Sequence, residues 1–348
     1  MKSLITSVSL AALMAVSSGT AAFAQDDPIR IGAALYGLRA EFMQLWAAGA
    51  ESHPAVMDGT VELTIFDGNY DALVQQNQFE TMITEGYDAI IFVPIDVEAG
   101  ATAVQMAYDA GIPVIGSNTR INTDYVPQVV EDGMYQYVGS NDVLAGRMEA
   151  EAVMADFCDA GGRVVIIEGP IGQSAQIDRR EGNEQALAEC PNVELLEMQT
   201  ANWSRAEALT LMENWLTSYQ GDIDGVIGQN DEMALGAIEA ITQAGLDVGD
   251  YSIAGIDGIT DALVAVQEGT MVSILQDANA QAQGAVDLAL RHVLGEGYEP
   301  MSPIWAEGDN WYNYGDEMPW NGGADAEYNV PWTPVTQAIV GELLDARQ

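Results

Sequence analysis

The stretch Val226-Ile227-Gly228-Gln229-Asn230-Asp231-Glu232-Met233-Ala234-Leu235-Gly236-Ala237 decides the fold class. Its first residues are apolar and short, as at the end of a buried strand. Its last residues begin a helical pattern with Met233, Ala237 and Ile238 on one face. Between them, Asn230 or Asp231 can cap the helix, because a short side-chain oxygen accepts from its free N–H groups. Glu232 suits the positive end of the helix dipole. One polar side chain is then left at the carboxyl end of a strand, where open α/β sheets bind ligands. By itself the stretch reads as a capped turn and nothing more; the surrounding chain decides.

Outward from it, strand and helix alternate in both directions. Apolar runs at 29–35, 61–66, 89–93 and 112–115 read as strands, with helical spacing near 42–49, 73–83 and 101–110. The run Ala89-Ile90-Ile91-Phe92-Val93 has no polar face, as expected of a parallel sheet covered on both sides. The pattern restarts near residue 140. Helices at 143–154, 174–188 and after a Ser204/Glu207 capping box alternate with strands at 163–167, 193–198, 226–227 and 252–256. A strand at 271–276 and a long helix at 278–294 complete the series. Two βαβ-rich halves of similar size predict an α/β protein of two similar, doubly wound parallel-sheet lobes. The restart and the acidic loop before it argue against one closed barrel. Beyond residue 295, Trp305, Trp311, Trp320 and Trp332 predict an ordered aromatic extension, since free linkers rarely carry such surface.

Composition gives an address. Residues 1–24 read as a signal peptide: Lys2, an apolar run from Leu4 to Val16, and a small-residue site at Ala22-Phe23-Ala24. The apolar run is too short to span a bilayer. No cysteine follows the site, which argues against a lipid anchor, so an exported chain beginning near Gln25 is expected. There are 53 acidic and 11 basic residues, and the net charge of −42 becomes one unit more negative when Lys2, the sole lysine, leaves. Such a surface repels nucleic acid and anionic lipid. It says little about the ligand, beyond making an arginine near a cleft notable. Cys158 and Cys190 are the only cysteines. Both precede strands at the same end of one sheet, and export permits a disulfide between them without requiring it. His53 and His292 have no partner pattern, no zinc spacing is present, and neither a metal nor a cofactor is expected.

Catalytic motifs fail one by one. Gly172-Gln173-Ser174-Ala175-Gln176 lacks the second glycine of a nucleophile elbow. There is no phosphate-binding Gly-Lys loop and no dinucleotide Gly-x-Gly-x-x-Gly. Asp222-Ile223-Asp224-Gly225 is a calcium-loop fragment without downstream ligands.

What remains is a set of residues at the carboxyl ends of the expected strands. Tyr36, Arg39 and Phe42 follow the first, and Asn118, Thr119 and Arg120 the fourth. Residues 169–180, Trp203, Asn230, Asp257 and Gln276 follow strands of the second half. Aromatic plates suit the C–H face of a sugar ring. Its hydroxyls donate and accept, and Asp, Arg, Asn and Gln between them meet both needs. Singly, each residue is explained as a cap or as core; together at strand ends they favour a polyhydroxylated ligand.

At this point the chain resembles periplasmic sugar-binding proteins of the ribose-binding type, the receptor subunits of ABC importers. The segment Gln229 to Ala237 is similar to that family's motif almost letter for letter. Gly255-Ile256-Asp257-Gly258 is similar to its next motif, Ser174, Arg179 and Gly182 to its Ser…Arg-x-x-Gly segment, and Pro113-Val114-Ile115 to its Ile-Pro-Val-Ile strand. The resemblance covers about residues 28–298. It implies a type I periplasmic binding protein, with lobes joined by three hinge strands crossing near Val138, Gln276 and Pro303. The N-terminal lobe is then 25–138 plus 277–302, the C-terminal lobe 139–276 plus 303–312, and 313–348 an extension. By the same resemblance Phe42 and Trp203 stack on the sugar, while Arg179, Asn230, Asp257 and Gln276 hydrogen-bond it. Where the family has Asp-Arg after the fourth strand this chain reads Asn118-Thr119, with Arg120 one place later; Met43 stands where it has a second aromatic, and Ala40 where it has Asn. These departures point away from ribose, to another pentose, a hexose or a polyol. The implied partners are a neutral monosaccharide or polyol and an ABC permease of the inner membrane, with the chain a periplasmic monomer and not an enzyme. A ligand-sensing subunit for a membrane receptor is an alternative, and a secreted carbohydrate-active enzyme a second, against which the failed motifs count.

Overall fold

The computed structural model describes residues 27–308 and 318–347. The expected signal segment 1–24 and Trp311 lie outside the described residues. The first lobe holds β1 (Ile29–Leu35), β2 (Val61–Asp67), β3 (Ala89–Phe92), β4 (Val114–Ser117) and β5 (Tyr135–Gly139). The second holds β6 (Gly162–Glu168), β7 (Val193–Thr200), β8 (Gly225–Gly228), β9 (Ser252–Asp257) and β10 (Val272–Leu275). Two late strands complete the sheets, β11 (Glu327–Asn329) in the first and β12 (Thr333–Pro334) in the second.

The sheet orders are β11-β5-β4-β3-β1-β2 and β12-β10-β9-β8-β6-β7, the same winding twice. Among the described residues all pairings are parallel except β10 with β12. Burial explains the continuous apolar strands. In β3, Ile91 joins the apolar cluster on one face of the sheet while Ile90 and Phe92 join that on the other. In each sheet the order reverses beside the first strand, between β1 and β3 and between β6 and β8. A crevice therefore opens beyond their carboxyl ends.

Among the described residues the chain passes between sheets three times: after β5, after β10, and between β11 and β12. The third passage lies near residue 330, not near Pro303. The Pro303–Glu307 helix stays on the first lobe because Trp305 packs over Gly284 and donates Nε1 to the Ala280 carbonyl at 2.8 Å. The aromatic extension is accordingly divided: β11 widens the first sheet, while β12 and the Val340–Ala346 helix pack on the second lobe.

Local chemistry sets the helix starts. Asn230 Oδ1 accepts from Met233 N at 3.0 Å, so Asn230 and not Asp231 is the cap. Ser204 Oγ caps Glu207 N at 3.4 Å, but the Glu207 carboxylate takes Asn202 Nδ2 at 2.7 Å, so half of the capping box forms.

Cys158 and Cys190 are bonded, 32 residues apart in sequence. They sit at the amino ends of β6 and β7, away from the crevice. The bridge restricts the unfolded chain, and a loop of this length corresponds to about 3–4 kcal/mol. Reduction is expected to lower the urea midpoint, with a loss of unfolding free energy of that size, and to leave ligand affinity unchanged. An unmoved midpoint would show that the bridge does not stabilise this lobe.

Candidate functional site

The lobes meet along the crevice. Val97 N donates to Gly172 O at 3.1 Å, Arg39 Nη2 to Asn202 O at 3.0 Å, and Thr260 N to Glu41 Oε1 at 3.0 Å. Gln173 Nε2 donates to Pro94 O at 3.1 Å and Arg120 N to Ser174 Oγ at 2.7 Å. These bonds hold a closed arrangement.

Inside it, Arg179 is 3% exposed. The helices Asp142–Met154 and Ser174–Glu189 approach closely because Gly146 faces the Arg179 backbone with no room for a Cβ. Arg179 Nε bonds Asp142 Oδ1 at 2.8 Å and Nη1 bonds Gln229 O at 2.5 Å. Its guanidinium carbon lies 5.5 Å from the centroid of the Trp203 ring and 5.7 Å from that of Trp332. Among the described residues, Nη2 has no protein partner in hydrogen bonding.

Trp203 packs where Gly169 has no Cβ, and its Nε1 donates to Gln173 Oε1 at 2.6 Å. Trp203 and Phe42 are both buried in one apolar cluster that runs from lobe to lobe. Phe42 is on the first turn of the Glu41–Glu51 helix, and Tyr36 follows β1.

Asp257 ends β9 with φ 131°, while Asn118 and Trp203 have φ 60° and 55°. Non-glycine residues rarely take such angles, and they persist where neighbours enforce them. Asp231 is the enforcing neighbour for Asp257. Its carboxylate accepts from Gly258 N at 2.7 Å, Ile259 N at 3.1 Å and Ser273 Oγ at 2.9 Å, fixing the turn after β9. Burial pushes the Asp257 carboxyl well above the usual range, and the Arg179 charge opposes that rise. No side chain among the described residues hydrogen-bonds the Asp257 carboxylate. Burial likewise raises the Tyr36 hydroxyl, with Asp257 adding to the rise and Arg179 opposing it. Tyr36 of one lobe is therefore within electrostatic reach of Asp257 and Arg179 of the other.

Gln276, 2% exposed, lies on the second passage between lobes. Its Oε1 accepts from Asn118 Nδ2 at 3.1 Å, and its Nε2 is buried without a partner. An unmet buried donor costs about 1–3 kcal/mol, so such an atom calls for an explanation.

The structure thus gathers Arg179, Trp203, Asp257 and, across the cleft, Tyr36, with Asn118 and Gln276 bonded to each other at the hinge. Asn230, at the end of β8, spends Oδ1 on its cap and keeps Nδ2. Arg120 stands apart. It pairs with Asp178 of the other lobe at 2.5 Å and lines a surface cavity of about 350 Å³ with Tyr137, Ser174 and Glu327. Asp142 and Asp231 were not among the expected site residues, and Gln173 entered only as part of the 169–180 segment. Asp142 and Asp231 each begin a helix and look like ordinary first-turn acids in sequence; only their buried partners distinguish them.

Two sheets of one winding, closed over charged and aromatic strand-end residues, define a two-lobed binding protein. Residues 31–297 match the model of the periplasmic binding protein domain, and the chain belongs to that family. It is 36% identical over 296 residues to a putative rhizopine-binding protein of Rhizobium meliloti, covering 84% of this chain and 91% of that one. It is 35% identical over 285 residues to a xylitol-binding protein of Mycolicibacterium smegmatis, covering 82% and 77%. An ABC transporter solute-binding protein of Bacillus halodurans C-125 with bound myo-inositol superposes with TM-score 0.76 at 30% identity, over 92% of this chain and 99% of that one. The fold is that of the type I periplasmic binding proteins. No helix among the described residues is long and apolar enough to cross a membrane.

Proposed function

We propose that this chain is an exported, monomeric binding protein that closes on a neutral monosaccharide or polyol and delivers it to an ABC permease. No bond is broken in this reading. Phe42 and Trp203 take the apolar faces of the ligand; Arg179, Asp257, Asn230, Asn118 and Gln276 take its hydroxyls. The observation that carries the reading is the buried, unpartnered Nε2 of Gln276, bonded through Oε1 to Asn118 of the opposite lobe. A ligand hydroxyl there satisfies the donor and joins the lobes at once. Arg179 Nη2 supplies a second donor and the Asp257 carboxylate an acceptor, a set that a hydroxyl-rich ring meets and an apolar ligand does not. The rhizopine-, xylitol- and myo-inositol-binding relatives support the same class. Arg120 is assigned to closing the cleft rim through Asp178.

A thermal-shift screen of residues 25–348 against pentoses, hexoses, polyols and inositols tests this. A ligand that binds only the folded chain raises its melting temperature by mass action, by about 2.7 kcal/mol of stability at a hundredfold excess over Kd. One or a few responders establish the class. Silence across the whole set removes the sugar reading and leaves the fold.

A further inference from the structure

The family match ends at residue 297, yet the chain beyond it returns to the cleft. Trp332 lies in the passage between β11 and β12, the third link between the lobes. Its ring stands 5.7 Å from the Arg179 guanidinium carbon, while Trp203 stands 5.5 Å from the same carbon. The guanidinium is therefore flanked by one indole of the cleft and one of the C-terminal segment. Trp332 Nε1 also donates to Asn141 O at 2.7 Å, and Asn141 caps the helix whose first residue, Asp142, holds Arg179 Nε. The body of the Trp332 indole packs toward Ala145, Ile256 and Ile274 of the second lobe. A second contact arrives from the chain end: Arg347 Nη2 donates to Gly258 O at 3.0 Å, on the turn that follows Asp257.

We propose that Trp332 is a positioning residue of the binding site, which fixes the rotamer of Arg179 so that Nη2 faces the ligand, and that Arg347 does the same for the Asp257 turn. The segment after residue 297 is then a working part of the cleft and sets its affinity. This rests on the sugar-binding reading for the identity of the ligand but not for the geometry. Arg179 has four torsions, and two bonds from Nε and Nη1 leave its planar head able to tilt; two flanking rings remove that freedom. Arg347 restrains a backbone that Asp231 already holds from the other side, so its effect is the smaller.

The test has two readouts. In the ligand-free protein, the Arg179 Nε–H resonance, assigned by its loss in Arg179→Lys or by its contacts to indole protons, is expected to carry a ring-current shift. That shift moves in Trp332→Ala and is largely kept in Trp332→Phe. With the ligand found by screening, calorimetric titration is expected to give about tenfold weaker binding for Trp332→Ala, within about twofold of wild type for Trp332→Phe, and about threefold weaker for Arg347→Gln. Rescue by Phe separates positioning from bulk loss of stability, because both variants lose the bond to Asn141. An unmoved Arg179 resonance in Trp332→Ala overturns the proposal, as does unchanged affinity in that variant. If the wild type binds no sugar, the functional reading fails, and the resonance still decides the positioning role.

Discussion

Replacing Arg179 with alanine is expected to abolish measurable ligand binding and to lower stability by about 3–5 kcal/mol at neutral pH. The binding loss follows from removing a charge-assisted donor from a dry site, where such bonds contribute about 1.5–3 kcal/mol each. The stability loss has another origin. Arg179 is the cation that faces Asp142, and both side chains are buried, 4% and 1% exposed. Burial already raises the Asp142 carboxyl, and the Arg179 charge and hydrogen bond oppose that rise. Without Arg179, Asp142 is left as an uncompensated buried charge and its pKa rises further. A carboxyl with a raised folded-state pKa binds its proton more tightly folded than unfolded, so stability falls as pH rises from the unfolded value toward the folded one. The deficit of Arg179→Ala relative to wild type is thus larger at pH 7.5 than at pH 5, where more of Asp142 carries its proton. Urea unfolding of both proteins at the two pH values measures this. A deficit independent of pH would mean that the lost bonds to Gln229 and the rings, rather than the stranded charge, dominate.

Trp203→Ala is expected to weaken binding by about 2–4 kcal/mol, from lost stacking and lost apolar burial against the ligand. The residue is costly to hold in place. It takes φ 55°, needs Gly169 opposite, and is tethered through Nε1 to Gln173. Trp203→Phe keeps a stacking face and drops the tether, so a smaller loss is expected, below about 1.5 kcal/mol. Titration calorimetry of the two variants separates the contributions. Unchanged affinity in Trp203→Ala would remove Trp203 from the site.

The lobes were legible in sequence because parallel sheets covered on both faces leave uninterrupted apolar strands, as in Ala89 to Phe92, and because the winding repeats. The gathering of polar and aromatic residues at one crevice was legible to the extent that they follow strand ends, a positional rule that needs no distances. Arg120 shows the limit of that rule. It follows β4 as Asn118 does, yet two residues further along the chain turns outward, and its head meets Asp178 at the rim. The third passage was misplaced because Pro303 looks like a boundary, whereas the Trp305 indole packed over Gly284 keeps its helix on the first lobe. Asp231 was hidden by its position. A first-turn acid after Asn230 is a plausible cap, and only the fold brings Gly258, Ile259 and Ser273 to its oxygens. Trp332 was visible as one aromatic among several; its nearness to Arg179 depends on a return of more than a hundred and fifty residues, which no local pattern encodes.

The position of the ligand in a crystal of residues 25–348, grown with whichever compound the thermal screen identifies, tests the central claim most directly. A ring is expected between Phe42 and Trp203, with oxygens on Arg179 Nη2, the Asp257 carboxylate and Gln276 Nε2. Density for that compound elsewhere, with Gln276 Nε2 left unpaired and the Asp257 carboxylate untouched, would contradict it.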